Sequence, residues 1–150
     1  MKPALQNKLY ARYPDLFIQK DLSMKETCMC WGISVADGWY GIIDSLCRQM
    51  MEVIVDVRKV FPDYRCPEFV QVKEKFGTLR IYLTQHSHMF QGEDDSYEKD
   101  LWEEMDSLVR SAEHASLYVC EHCGTTVDVE TSGGWLVTLC NECREKRGRK

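Results

Sequence analysis

The sequence predicts an α+β chain: two long helices and one β-hairpin, followed by a small C-terminal module. Three observations predict it. Apolar residues recur at three- and four-residue steps over 37–60 and again over 96–115. Residues 68–83 alternate with a period of two and carry a turn at their middle. Near the end, two Cys-x-x-Cys pairs stand sixteen residues apart.

The front elements follow in order. Residues 3–13 predict a short helix, with Leu5 and Leu9 on one face and Pro3 in the first turn, where its missing N–H costs nothing. Pro14 stops it, because the residue before a proline is driven out of the helical region. Residues 20–26 are polar and read as loop. Asp37 is read as the N-cap of the main helix. Its stripe is Trp39, Ile43, Leu46, Cys47, Met50, Ile54 and Val57, and Pro62 ends it. That stripe reads as core, not as a cofactor site.

In the hairpin, Val70, Val72 and Phe76 alternate with Gln71, Lys73 and Lys75, and Leu79, Ile81 and Leu83 alternate with Arg80 and Tyr82. Phe76-Gly77-Thr78 marks the turn. Lys73, Lys75 and Arg80 give one hairpin face a basic character, or simply a solvated one. Residues 84–95 read as a loop. The second long helix carries Leu101, Met105, Leu108, Ala112 and Ala115 as its stripe, with Trp102 and Val109 beside it. Glu98, Asp100, Glu103 and Glu104 crowd its start, where the helix dipole favours acid, so they need no partner. A DNA-mimic surface is the sharper alternative for that run. Leu117-Tyr118-Val119 leads directly into Cys120, so the chain divides into an α+β part, 1–116, and a module, 117–150, packed on it.

That module begins Cys120-Glu121-His122-Cys123 and closes on Cys140-Asn141-Glu142-Cys143. Pairs at this spacing converge four thiolates on one tetrahedral ion, and four protein ligands make a structural site. One structural Zn²⁺ on Cys120, Cys123, Cys140 and Cys143 is the expectation. A redox dithiol would need only one pair, beside a thioredoxin-like βαβ pattern. Cys123-Gly124 fits a metal-binding knuckle. Residues 127–129 and 135–139 read as strands about a Ser132-Gly133-Gly134 turn, and 140–147 read as a helix. Knuckle, hairpin and helix in that order make a treble clef; a zinc ribbon is the other arrangement.

The other four cysteines sit among apolar residues. Cys28 and Cys30 could join His86 and His88 around a second metal, but free cysteines are more commonly buried as small hydrophobes, as with Cys47 and Cys66. No stretch reaches the length of a membrane span and the N-terminus has no apolar signal core, so a reducing cytoplasm is expected, with no membrane partner. A net charge of −5 argues against a chain whose whole surface coats nucleic acid. Arg144, Lys146, Arg147, Arg149 and Lys150 form a basic tail. It either offsets the charge of about −2 on a four-thiolate zinc site or contacts phosphate.

Several strings together resemble a known family. Thr27-Cys28-Met29-Cys30-Trp31-Gly32, Gly38-Trp39-Tyr40, Gln71-Val72-Lys73-Glu74-Lys75-Phe76-Gly77-Thr78-Leu79-Arg80, Ala112-Glu113-His114-Ala115-Ser116 and the cysteine module with Gly134-Trp135 and Thr138-Leu139 are similar to small zinc-binding proteins encoded by tailed phages and prophages. The resemblance spans nearly the whole chain. It implies a bacterial cytoplasm during infection and an accessory protein that binds a host protein or counters a host defence system.

Three functions follow. The first is a non-enzymatic interaction protein with a host protein as partner, its contact surface on Tyr97, Trp102 or Trp135, or on the loop of residues 88–95. The second is a nucleic-acid-binding zinc finger that uses Lys73, Lys75, Arg80 and the tail Arg144, Lys146, Arg147, Arg149 and Lys150. The third, an enzyme, is disfavoured. An HNH-type nuclease needs histidines inside the module, and 124–139 contains none. Four Cys ligands leave a zinc ion no open position, and His114 and His122 are lone histidines. No catalytic residue is assigned.

Overall fold

The computed structural model describes residues 1–84 and 95–148. The architecture is α+β, as the periodicities predict. Helix α1 (Pro3–Arg12) opens the chain, with Pro3 in its first turn and Leu9 wholly buried. Beyond Tyr13 the chain does not fall into loop. A kinked 3-10 segment, Pro14–Asp21, buries Leu16 and Phe17 completely. The Phe17 ring lies 4.9 Å from Phe69 and 5.0 Å from Tyr10, so tertiary packing orders residues whose local signal was only a stop.

Strand β1 (Ile33–Ser34) pairs in parallel with β2 (Phe69–Lys75), Ile33 opposite Val72. Two residues are too short to show a period, so no pattern announced it. A 3-10 turn, Asp37–Trp39, then feeds helix α2 (Tyr40–Val60). Asp37 is not the N-cap: no side chain caps either segment, and its Oδ1 accepts the Lys2 N–H at 2.8 Å. It therefore satisfies a backbone donor at the start of α1, a demand local sequence could not reveal. The α2 stripe packs as predicted, with Trp39, Ile43, Leu46, Cys47, Met50, Ile54 and Val57 all buried.

Strand β2 pairs antiparallel with β3 (Thr78–Leu83), giving sheet order β1-β2-β3. The two-residue turn places Phe76 at φ 56° and Gly77 at φ 76°. Two left-handed residues make the turn whose twist matches the strands it joins. Helix α3 (Asp95–Ala115) buries Leu101, Met105, Val109 and Ala112; Leu108 is only half-buried, so the stripe sits slightly rotated from the expected one. The C-terminal end of α3 also closes the outer edge of β3. Ser116 Oγ accepts the Leu79 N–H at 2.9 Å and Glu113 Oε1 accepts the Ile81 N–H at 2.8 Å. An open edge would otherwise invite another strand. Among the described residues no helix is long and apolar enough to cross a membrane.

Candidate metal centre

The module is built in the order knuckle, hairpin, helix, which is that of a treble clef. Cys120 opens the knuckle: its carbonyl accepts the Gly124 N–H at 2.9 Å and its N–H donates to Thr125 O at 2.8 Å. Gly124 takes φ 79°, which a glycine adopts without strain. Strands β4 (Val129–Ser132) and β5 (Val137–Cys140) pair antiparallel, with Val129 opposite Cys140. Helix α4 (Asn141–Gly148) starts directly after Cys140, so Cys143 falls in its first turn, where helix N–H groups favour a thiolate. Both strands start two residues later than expected, β4 at Val129 and β5 at Val137. Val127 and Asp128 lie in a turn, with Asp128 at φ 51°, and Trp135 and Leu136 belong to the turn between the strands.

This folding brings Cys120, Cys123, Cys140 and Cys143 together. Their sulfurs all lie within 4.8 Å of one another, and the group could hold a metal ion. Cys123 Sγ and Cys140 Sγ stand 3.7 Å apart. Cys120 and Cys140 are buried, Cys143 is half-buried and Cys123 reaches solvent. Burial pushes the Cys120 thiol up, but the backbone N–H groups of Cys140, Cys123 and His122 outweigh it and bring the thiol down to about 7. Burial and the adjacent Cys140, Cys123 and Cys120 sulfurs push Cys143 up. The Thr125 N–H lowers Cys123, yet burial and the Cys120 and Cys140 thiols together raise it. Four thiols so close resist ionising together; a bound divalent cation inverts that preference.

The centre is clamped to the front of the chain at two places. At the first, the Gly38 N–H donates to Glu121 O at 2.7 Å, the Ala36 N–H to Glu121 Oε1 at 3.1 Å and Trp39 Nε1–H to Val119 O at 2.8 Å. Gly38 lies so close to the knuckle that a Cβ there would stand 2.2 Å from Cys120 O and 2.6 Å from Gly124 N. At the second, the Thr138 hydroxyl donates to Gly77 O, and Thr131 Oγ1 lies 2.6 Å from Thr138 Oγ1. The hairpin turn of the front part thus rests on the hairpin of the metal module. Sequence reasoning gave Trp39 a place in the core stripe but no part in this contact, and assigned no role to Gly38, Thr131 or Thr138. The Gly38-Trp39 pair was visible as a motif, but the contact it serves joins residues about eighty positions apart.

No protein-family model, curated protein or solved structure matches this chain.

Of the tail's three described basic residues, Arg144, Lys146 and Arg147, the first two are engaged within the module. Arg144 turns inward, donating to Leu139 O at 3.0 Å and to Glu130 Oε2 at 2.5 Å. Lys146 pairs with Glu142 at 2.6 Å, and Arg147 is exposed. Arg149 and Lys150 lie outside the described residues. On the hairpin, Lys73 Nζ sits 5.1 Å from the Tyr82 ring centre and Lys75 Nζ 5.3 Å from that of Phe76. Arg80 faces Glu113 at 3.7 Å.

The remaining candidates disperse. His114 packs on Tyr118 with ring centres 5.3 Å apart, and His122 is exposed. Cys28 is exposed and Cys30 half-buried; His86 and His88, their expected partners, lie outside the described residues, as does most of the 88–95 loop. Cys47 and Cys66 are buried, and burial pushes both thiols up, Cys66 to about 11. Of the aromatic contact candidates, Trp102 is half-buried and Tyr97 stacks near Phe61, ring centres 5.6 Å apart. Trp135 is 76 % exposed.

Proposed function

We propose that this chain is a non-enzymatic, zinc-stabilised binding protein, in which the metal centre supports a contact surface and performs no chemistry. Zinc is the ion that fits. Zn–S bonds of about 2.3 Å set tetrahedral S···S edges of about 3.8 Å, close to the 3.7 Å between Cys123 and Cys140. Four sulfur donors suit zinc over harder cations. They also fill its coordination sphere, so no position remains for a substrate.

The observation that carries the reading is the meeting of the two hairpin tips. Thr138 ties them through Gly77 O, and a Cβ on Gly77 would stand 3.4 Å from the Leu136 carbonyl carbon. Within one residue of that junction, Phe76, Trp135 and Leu136 are 68 %, 76 % and 40 % exposed. Large apolar side chains held out on tied turns are the material of interface hot spots. The resemblance to phage proteins supplies the setting, a bacterial cytoplasm during infection, with a host protein as partner and a defence component as the first class to test.

The experiment is affinity capture from bacterial lysate on the zinc-loaded chain, with and without nuclease, followed by reconstitution from purified components. One host protein retained in both conditions, bound directly, and lost with a Phe76→Ala/Trp135→Ala double variant is the expected result. A partner indifferent to that variant would overturn the assigned surface. Nothing retained in either condition would overturn the binding reading. Nucleic acid is the second reading, supported by the lysines seated beside Tyr82 and Phe76.

A further inference from the structure

We infer that the outer face of the β2–β3 hairpin, continued by Trp135 at the neighbouring tip, binds single-stranded nucleic acid. The inference rests on the binding-protein reading and names a partner for its second form. Strand alternation sorts the hairpin into two faces. Val72, Leu79 and Ile81 turn to the core and are buried. On the opposite face the register pairs Gln71 with Tyr82, Lys73 with Arg80 and Lys75 with Thr78, the last of these buried. Three cations and an exposed ring therefore share one small surface, and the Phe76 ring lies at its end.

Two features of this face conflict with stability and point to an anion. Lys73 stands directly opposite Arg80, and like charges so paired repel. Glu113 answers one of them, 3.7 Å from Arg80; Lys73 has the Tyr82 ring instead, at 5.1 Å. The second feature is Phe76. It occupies a left-handed turn position, φ 56°, where asparagine or glycine would be unstrained, and it leaves its ring 68 % exposed. A bulky aromatic residue at such a position gains little by burial, and its ring, with Lys75 Nζ 5.3 Å from the centre, is left open to a contact outside the chain.

Cations beside exposed rings are what a single strand requires: phosphates pair with the cations while unstacked bases lie on the rings. A protein partner fits the lysine-bearing strands less well than it fits the apolar tips, because lysine is depleted in protein interface cores. A duplex would present its phosphates but no base faces, leaving Tyr82, Phe76 and Trp135 unused. Tyr82 is opposite Gln71, five positions before the turn residue Phe76, so the two rings span about 16 Å of strand, room for a few nucleotides.

The test is fluorescence anisotropy of the zinc-loaded full chain with a short labelled thymidine oligonucleotide, its duplex and a polyglutamate peptide. The expected result is binding of the single strand in preference to both competitors. With three phosphate contacts, affinity should fall about 18-fold between about 50 mM and about 200 mM salt. Lys73→Glu/Lys75→Glu should abolish binding, and Tyr82→Ala and Trp135→Ala should each weaken it about fivefold or more. All these side chains reach solvent, so retained zinc and melting temperature verify the fold of each variant. Three outcomes would overturn the inference: no binding at low salt, equal binding of duplex or polyglutamate, or affinity untouched by the ring substitutions. A host protein still captured after nuclease would show that the binding-protein reading survives without this one.

Discussion

Gly38→Ala tests whether the metal module is locked to the front of the chain. A Cβ at this position would meet three backbone atoms, Cys120 O at 2.2 Å and Glu121 O and Gly124 N at 2.6 Å each. Backbone cannot rotate away as a flexible side chain can, so the knuckle and the 3-10 turn must separate. Overpacking of this kind costs about 1–3 kcal/mol. Separation also strains the Gly38 N–H to Glu121 O and Trp39 Nε1–H to Val119 O bonds, each contributing about 1 kcal/mol. A total near 3 kcal/mol lowers the melting temperature by roughly 6–12 °C for a chain of this size. The assay is thermal unfolding of the zinc-loaded protein, paired with the rate of zinc transfer to a chromogenic chelator, which should rise. Gly41→Ala is the control. Gly41 lies in α2 with nothing within 4 Å of a Cβ, so alanine there should stabilise by about 0.5–1 kcal/mol. If Gly38→Ala melted with the parent and released zinc no faster, the close approach of the two parts would not exist in solution and the clamp would be refuted.

Cys140→Ser should release the metal and unfold at least the module, because structural metal binding is folding free energy; Cys123→Ser, at the exposed corner, should lose metal with a smaller fall in melting temperature. Metal analysis after dialysis together with thermal melts decides it, and full zinc retention in both variants would contradict a four-cysteine site. Thr138→Val removes the hydroxyl shared by Gly77 O and Thr131 in a buried position, at a cost of about 1–3 kcal/mol, while metal content stays at one per chain; denaturant melts would check the first and metal analysis the second. Stability should fall in alkali. Burial, followed by the Asp44 hydrogen bond, raises the Tyr13 phenol from 10.0 to about 12, and burial raises the Cys66 thiol from 9.0 to about 11. Each group binds its proton more tightly when folded, so its contribution is complete below the unfolded value and is lost as pH climbs through the folded one. Melting temperature against pH should drop over 9–12, and Tyr13→Phe should flatten the upper part of that drop; an unchanged slope would show that Tyr13 does not titrate with unfolding.

Much of the fold was legible in the residues alone, for a physical reason. A long helix packed on one side must repeat its apolar residues at the helical period, so α2 declared its buried face almost residue by residue, as α3 did with a small rotation. A half-buried hairpin must alternate, so β2 and β3 were visible with their turn. The four clustered cysteines were visible because two tight turns that converge on one point, as a tetrahedral metal site requires, impose the Cys-x-x-Cys spacing. Each of these signals is local and repeats within a few residues.

What the tertiary structure decided is what joins distant residues. Gly38 is part of a short motif without a role in the sequence and a contact point for Cys120, Glu121 and Gly124 in the fold. Asp37 accepts the N–H of Lys2, thirty-five residues earlier, in place of capping its own helix. Arg144 is one basic residue in a tail until the β4–β5 hairpin offers it Glu130 and the Leu139 carbonyl. Strand β1 exists because β2 lies beside it, and the turns that carry Phe76 and Trp135 meet because Thr138 reaches Gly77. Composition and period fix which residues must be buried and which could hold a metal. Which elements then touch, and which charges and rings remain facing water, depends on chain closure over dozens of residues, and no local pattern records that.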